Sequence, residues 1–121
     1  MVDFSQVLSD IEHCSFVALD LELSGVNDGS FGAVGQDLSY TLSKLSAQVF
    51  VPLQIGICCA FATSDRAWTL HPHSFYLMPG GSQVFSVWNK AITFLVQSNF
   101  DLKAWAEQAL PFVTQEQESR A

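Results

Sequence analysis

Apolar positions along the chain first recur at helical spacing, with Phe4, Val7, Leu8 and Ile11 at i, i+3, i+4 and i+7, and then fuse into the run Phe16-Val17-Ala18-Leu19. The first pattern predicts a short amphipathic helix. The second predicts a strand over residues 14–22 that is buried on both faces, because its apolar stretch does not alternate and gives way to acid only at its carboxyl end. Ser24-Gly25, Asn27-Asp28-Gly29, Gly32 and Gly35 then predict a turn opening into a flexible loop. Helical spacing returns with Leu38, Leu42, Leu45 and Val49. Leu53-Gln54-Ile55-Gly56-Ile57-Cys58-Cys59-Ala60-Phe61 predicts a second strand, entered through Pro52 and stopped by Ser64-Asp65-Arg66. That stop is short enough for a hairpin into Ala67-Trp68-Thr69-Leu70, with Ser74-Phe75-Tyr76-Leu77-Met78 continuing or pairing beyond Pro72. The second and third strands are therefore expected to be antiparallel neighbours.

After Pro79-Gly80-Gly81, Ser82 is placed to cap a helix whose Val84, Val87, Trp88, Ala91, Ile92 and Leu95 form one broad apolar face. Asp101 caps a further short helix carrying Leu102, Trp105 and Ala109, which Pro111 closes. Thr114 and Gln117 form a capping-box pattern that opens a last helix, expected to run to the end at Ala121. A helix announced so late reads as the start of something longer, and the chain is expected to be the N-terminal part of a larger domain, residues 1–121.

Composition narrows the function classes. Apolar residues make up 49% and charged residues 14% of the 121, so a packed core is intended and part of the surface is expected to be covered by more protein. Twelve acidic against five basic residues give a net charge of −7, the wrong sign for holding a nucleic-acid backbone by counterion release. Any nucleic-acid affinity must run through metal ions or through basic parts elsewhere. The opening Met-Val-Asp-Phe has no basic leader, and no apolar stretch approaches the about 18 residues of a membrane span, so an intracellular, soluble protein of the nucleus or cytoplasm is expected. Cys14, Cys58 and Cys59 read as buried reduced thiols.

The chemistry centres on Asp20 and Glu22. Two residues apart on a strand, they project from one face, and two carboxylates side by side can hold a hard divalent cation. Other candidates are weaker. His71 and His73 could share a strand face, but Pro72 between them should disrupt a regular strand, and no nearby Cys or carboxylate is expected to complete a zinc set. His13 reads as a helix-terminal residue, and Trp68, Trp88 and Trp105 read as core anchors.

The stretch Phe16-Val17-Ala18-Leu19-Asp20-Leu21-Glu22-Leu23-Ser24-Gly25-Val26 resembles the first exonuclease motif of the poly(A)-specific ribonuclease family, the deadenylases of the DEDD nuclease superfamily. Later segments agree in order and type. Leu53 through Cys58 is similar to that family's second strand and Ser74 through Pro79 to its third. The segments Phe94-Leu95, Asn99-Phe100-Asp101-Leu102, Leu110-Pro111-Phe112-Val113 and Gln115-Glu116-Gln117-Glu118 are similar to the helical part that follows.

The resemblance implies an α/β, ribonuclease H-like fold, present here in part. Its first three strands are antiparallel in a mixed sheet with flanking helices, and two more strands follow. It also implies a 3′–5′ exoribonuclease that removes adenylates from the poly(A) tail of RNA with four carboxylates, two Mg2+ ions and a base histidine. Asp20 and Glu22 match the first two carboxylates and would be catalytic metal ligands. The other acids and the histidine have no counterpart in this sequence, and Asp101 falls in the helical part, outside any catalytic motif. Family members usually carry phenylalanine directly after the acidic pair; here Leu23 stands there, and Leu23 and Val26 are the candidate contacts to the base. Omitting later strands would leave one edge of the first strand unpaired. The alternative to an exonuclease is therefore a non-catalytic fragment that acts only by association with a full-length partner, with that edge or a homodimer as the expected association.

Overall fold

The computed structural model describes residues 4–26 and 36–120. The loop signals at Asn27-Asp28-Gly29, Gly32 and Gly35 lie outside the described residues, as do the side chains of residues 36–39, Leu38 among them. In chain order the elements are α1 (Ser5–His13), β1 (Phe16–Leu23), α2 (Gln36–Val49), β2 (Pro52–Ser64), β3 (Ala67–Pro79), α3 (Asn89–Gln97), α4 (Leu102–Gln108), β4 (Leu110–Phe112) and α5 (Gln115–Ser119). The strands form one mixed sheet in the order β1-β2-β3-β4. β1, β2 and β3 are antiparallel neighbours, and β4 adds in parallel to the end of β3.

Register assigns every strand residue to a face, because directly paired residues project the same way. Asp20 lies opposite Gly56 and Gly56 opposite Ser74, while Glu22 lies opposite Gln54 and Gln54 opposite Tyr76. The alternate residues, Leu19 with Ile57 and His73, and Val17 with Cys59 and His71, project from the other face. Helix α1 packs on that second face, where the ring of Phe4 meets Phe75 at 5.6 Å.

The core gathers where the carboxyl end of the helical region meets β2 and β3. Leu53, Leu95 and Phe100 are buried, with Tyr76, Ile92 and Trp105 packed against them. Asn99 adopts a left-handed φ of 70° at the end of α3, which lets the Phe100 N–H reach the Leu95 carbonyl at 2.9 Å and turns Phe100 back onto Leu95. Asp101 caps α4 through the Ala104 N–H, and the Trp105 indole N–H donates to the Leu77 carbonyl at 2.7 Å, fixing α4 to β3. The capping box at Thr114 and Gln117 forms with both of its hydrogen bonds, and α5 ends at Ser119.

One buried serine joins the parts. Ser24, directly after β1, is fully buried. Its N–H donates to the Val51 carbonyl (2.9 Å), its hydroxyl accepts the Val51 N–H (3.0 Å) and donates to the Ser86 carbonyl (2.7 Å), and its own carbonyl accepts the Trp88 N–H (2.8 Å). Beside it, a side chain at Gly25 would collide with the ring of Phe50, so the close approach of the chain before β2 requires glycine there.

Four expectations need correction. β1 is not buried on both faces: Phe16, Leu19 and Leu21 are 52%, 68% and 48% exposed, because its outer edge pairs with no other described strand and α1 packs on β2, with Asp10 reaching His71 and His73 of β3. The helix expected from Ser82 begins only at Asn89, since the backbone groups of Ser86 and Trp88 are held by Ser24 and are not available to a helical ladder. β3 runs unbroken through Pro72, which is tolerated because no described strand pairs on that side of β3 before Leu77. Pro111 does not simply close a helix; it sits in β4.

Replacing Ser24 by alanine would leave the Val51 N–H and the Ser86 carbonyl without the hydroxyl, two part-buried groups at about 1–3 kcal/mol each in the unsatisfied case. Urea unfolding of Ser24→Ala is expected to show a loss of roughly 2–4 kcal/mol with an unchanged m-value.

Candidate functional site

The strand period places Asp20 and Glu22 on one face of β1, as their spacing requires. Asp20 is exposed and Glu22 half-buried. The Asp20 Oδ1 accepts the N–H of Leu21 at 3.1 Å, a local bond that orients the carboxylate without enclosing it. Across the ladder stands Gly56, which contributes no side chain, so the floor beside Asp20 is open. A groove of about 520 Å³ follows, lined by Ala18, Asp20, Gly56, Cys58, Pro72 and Ser74 among others.

This donor set suits a hard cation: both donors are carboxylate oxygens on one strand face, Asp20 open to solvent and Glu22 half-buried beside it. Two carboxylates carry half the charge of two divalent ions. Among the described residues, no group of three or more His, Cys, Asp or Glu is arranged to hold a metal ion.

A pocket of about 370 Å³ adjoins the acidic pair at Glu22. It is lined by Leu21, Glu22, Leu23, Gly25, Val26, Trp88, Lys90, Ala91, Phe94 and Leu95. Leu23 and Val26 thus both sit beside the second carboxylate. The two also face α2: Leu23 and Val26 line a space of about 320 Å³ with Ser43 and Phe50, and Val26 lines another of about 330 Å³ with Leu42, Leu45 and Trp88. Trp88 and Lys90 were not anticipated here. Trp88 is half-buried between these spaces, Trp68 is 53% exposed against Phe16, and of the three tryptophans Trp105 alone packs on the core cluster. Only knowledge that Ser24 holds the segment before α3 could have brought Trp88 to Glu22.

On the opposite face lies a carboxylate the sequence reading passed over. Asp10 is 4% exposed, and its Oδ2 stands 2.7 Å from His73 Nε2 and 3.2 Å from His71 Nδ1 while its Oδ1 accepts from Gln6 Nε2 at 2.9 Å. His71 and His73 do share a face, and a carboxylate does reach them, contrary to expectation. Asp10 is three residues after Val7, the other buried residue of α1, so the buried stripe of that helix is Val7 and Asp10, not Leu8 and Ile11. Burial by itself would raise the Asp10 pKa. The hydrogen bonds from His73, His71 and Gln6, together with the charge of His71, outweigh it and hold the group below its ordinary 3.8. Burial pushes the nearby Cys59 thiol up, with Cys14 adding to the effect. All three cysteines are free; Cys59 is buried, but Cys14 and Cys58 are only half-buried. His13 ends α1 with its ring bonded to the Ser9 carbonyl.

Residues 2–121 match the family of CAF1 ribonucleases. The chain is similar to the poly(A)-specific ribonuclease PARN of Xenopus laevis, 25% identical over 93% of this chain and 20% of that protein, and to PARN of Homo sapiens, 26% identical with the same coverage. It spans about a fifth of the length of these relatives. Among solved structures it is similar to S. pombe Pop2p in its Mg2+- and Mn2+-bound form, with a TM-score of 0.62, 20% identity, and coverage of 88% of this chain and 43% of that one. The likeness establishes the ribonuclease H-like fold. No helix among the described residues is long and apolar enough to cross a membrane.

A depressed Asp10 pKa stabilises the fold above pH 3.8, and that contribution is lost as pH falls through the lower, folded-state value. Acid unfolding followed by circular dichroism is therefore expected to show a loss of stability below about pH 4 that is absent in Asp10→Asn.

Proposed function

The chain belongs to the CAF1 family of ribonucleases, and on that premise we propose that it forms part of a Mg2+-dependent 3′–5′ exoribonuclease acting on the poly(A) tail of RNA, with Asp20 and Glu22 as metal ligands. The observation that carries this reading is the placement of both carboxylates on the open face of β1, between a groove and an apolar pocket. When bound, Mg2+ supplies Lewis acidity at the phosphate and lowers the pKa of a water. Asp20 and Glu22 hold the cation and fix its position relative to the strand. Leu23 and Val26 offer apolar contact to the terminal base. Hydrolysis would consume one water per terminal phosphodiester and release one mononucleotide. A net charge of −7 supports this reading over binding of RNA by charge alone, because the cation is then what draws the backbone in.

A second reading is favoured by the outer edge of β1, which pairs with no other described strand and beside which Phe16, Leu19 and Leu21 are exposed. There the chain is a non-catalytic partner that associates through this edge with another protein or a second copy.

Oligo(A) RNA incubated with the protein and Mg2+ separates the two. The exonuclease reading expects release of adenylate from the 3′ end, lost on chelation and reduced about 100-fold or more by Asp20→Ala. Release that survives Asp20→Ala would contradict it. No release, with a concentration-dependent rise in mass by light scattering, would favour association.

A further inference from the structure

We propose that Trp88 and Lys90 form the nucleotide-holding wall of this site, with the indole stacking on the 3′-terminal base and the ammonium meeting its phosphate. The inference rests on the exoribonuclease reading and goes beyond it by naming what grips the substrate. A base needs a flat partner, and Leu23, the residue directly after the acidic pair, has none to give. The pocket beside Glu22 supplies one. Trp88 and Phe94 both line it, but Trp88 differs in how it is held.

Its backbone N–H donates to the Ser24 carbonyl at 2.8 Å, two residues from Glu22, so the main chain that carries the indole is tied to the end of the strand that carries the carboxylates. That main chain cannot move away from the acidic pair without breaking this bond. The same tether keeps this segment out of the helix, leaving Trp88 as the N-cap of α3 with extended backbone.

Lys90 adds the charge. Its Nζ lies 5.3 Å from the Trp88 ring centroid, and its side chain lines the same pocket. An exposed ammonium over an indole is a weak pair, and a phosphate oxygen is a stronger partner. Lys90 is one of only five basic residues in a chain of net charge −7, so its position next to Glu22 is not explained by a general basic surface. A nucleoside monophosphate matches the pocket's three parts: a ring for the base, apolar Leu23 and Val26 in the same lining, and a cation for the phosphate.

Adenosine 5′-monophosphate and adenosine are the probes, with binding to the full chain followed by nuclear magnetic resonance in Mg2+. Trp88→Leu is expected to weaken binding of both about 5- to 150-fold, the range for losing one base–aromatic stack, with Trp88→Phe near wild type. Lys90→Gln should weaken the monophosphate and leave adenosine unchanged. Should Trp88→Leu fail to fold, judged by its urea midpoint, the adenine H2 and H8 resonances decide in its place: binding to the wild type is expected to shift them upfield by the indole ring current, and their failure to shift would overturn the stack. Wild-type affinity for the monophosphate in folded Trp88→Leu, or equal effects of Lys90→Gln on both probes, would overturn the proposal. If adenylate release depends on Asp20 while Trp88 and Lys90 variants bind normally, this inference alone falls. If the variants behave as expected and no adenylate is released, the exoribonuclease reading falls and the nucleotide site stands. No binding of the monophosphate by the wild type overturns the site itself.

Discussion

Ser24 is the residue on which the arrangement of this domain depends. A single buried hydroxyl and its two backbone groups bring together the end of β1, the approach to β2 and the approach to α3. Ser24 is itself fully buried and its polar groups would be costly without partners, so the four bonds hold the three segments together. The site inherits its shape from this junction. Glu22 precedes Ser24 by two residues, Leu23 adjoins it, and Trp88 is bonded to it. The pocket at Glu22 is the space between elements that Ser24 holds at fixed distance.

The sheet carries one carboxylate system on each face, and their environments assign them different work. Asp10 is buried, receives hydrogen bonds on both oxygens and is held ionised by two histidines and a glutamine. Such a group is satisfied and serves to fix α1 to the sheet. Asp20 is exposed, bonded only locally to the Leu21 N–H, and faces a glycine across the ladder. A cation can approach one of these groups without first displacing protein, and it is Asp20. Gly56 has the same logic, since a side chain there would stand over the floor next to Asp20.

Much of this was readable from the chain. The alternation of a strand suffices to put Asp20 and Glu22 on one face, and the hairpin at Asp65-Arg66 follows from a polar break between two apolar runs. The caps at Asp101 and Thr114 are local chemistry that tertiary structure does not alter. What escaped was decided at long range. Residues 82–88 have helical spacing, yet Ser24, more than sixty positions away in sequence, takes up the backbone of Ser86 and Trp88. Asp10 carries no signal of its role in the sequence because its partners, His71 and His73, arrive from another element. The apolar run of β1 suggested burial on both faces, but periodicity records apolarity and not which neighbour covers it.

The central claim is that Asp20 and Glu22 hold a divalent cation on the open face of β1. Titration with Mn2+, followed by paramagnetic broadening of backbone amide resonances, tests it most directly. The account predicts broadening centred on residues 20–22 and on their ladder partners Gln54 and Gly56, reversed by excess Mg2+ and lost in Asp20→Ala. Broadening centred on His71 and His73 across the sheet, or broadening at β1 that persists in Asp20→Ala, would contradict it.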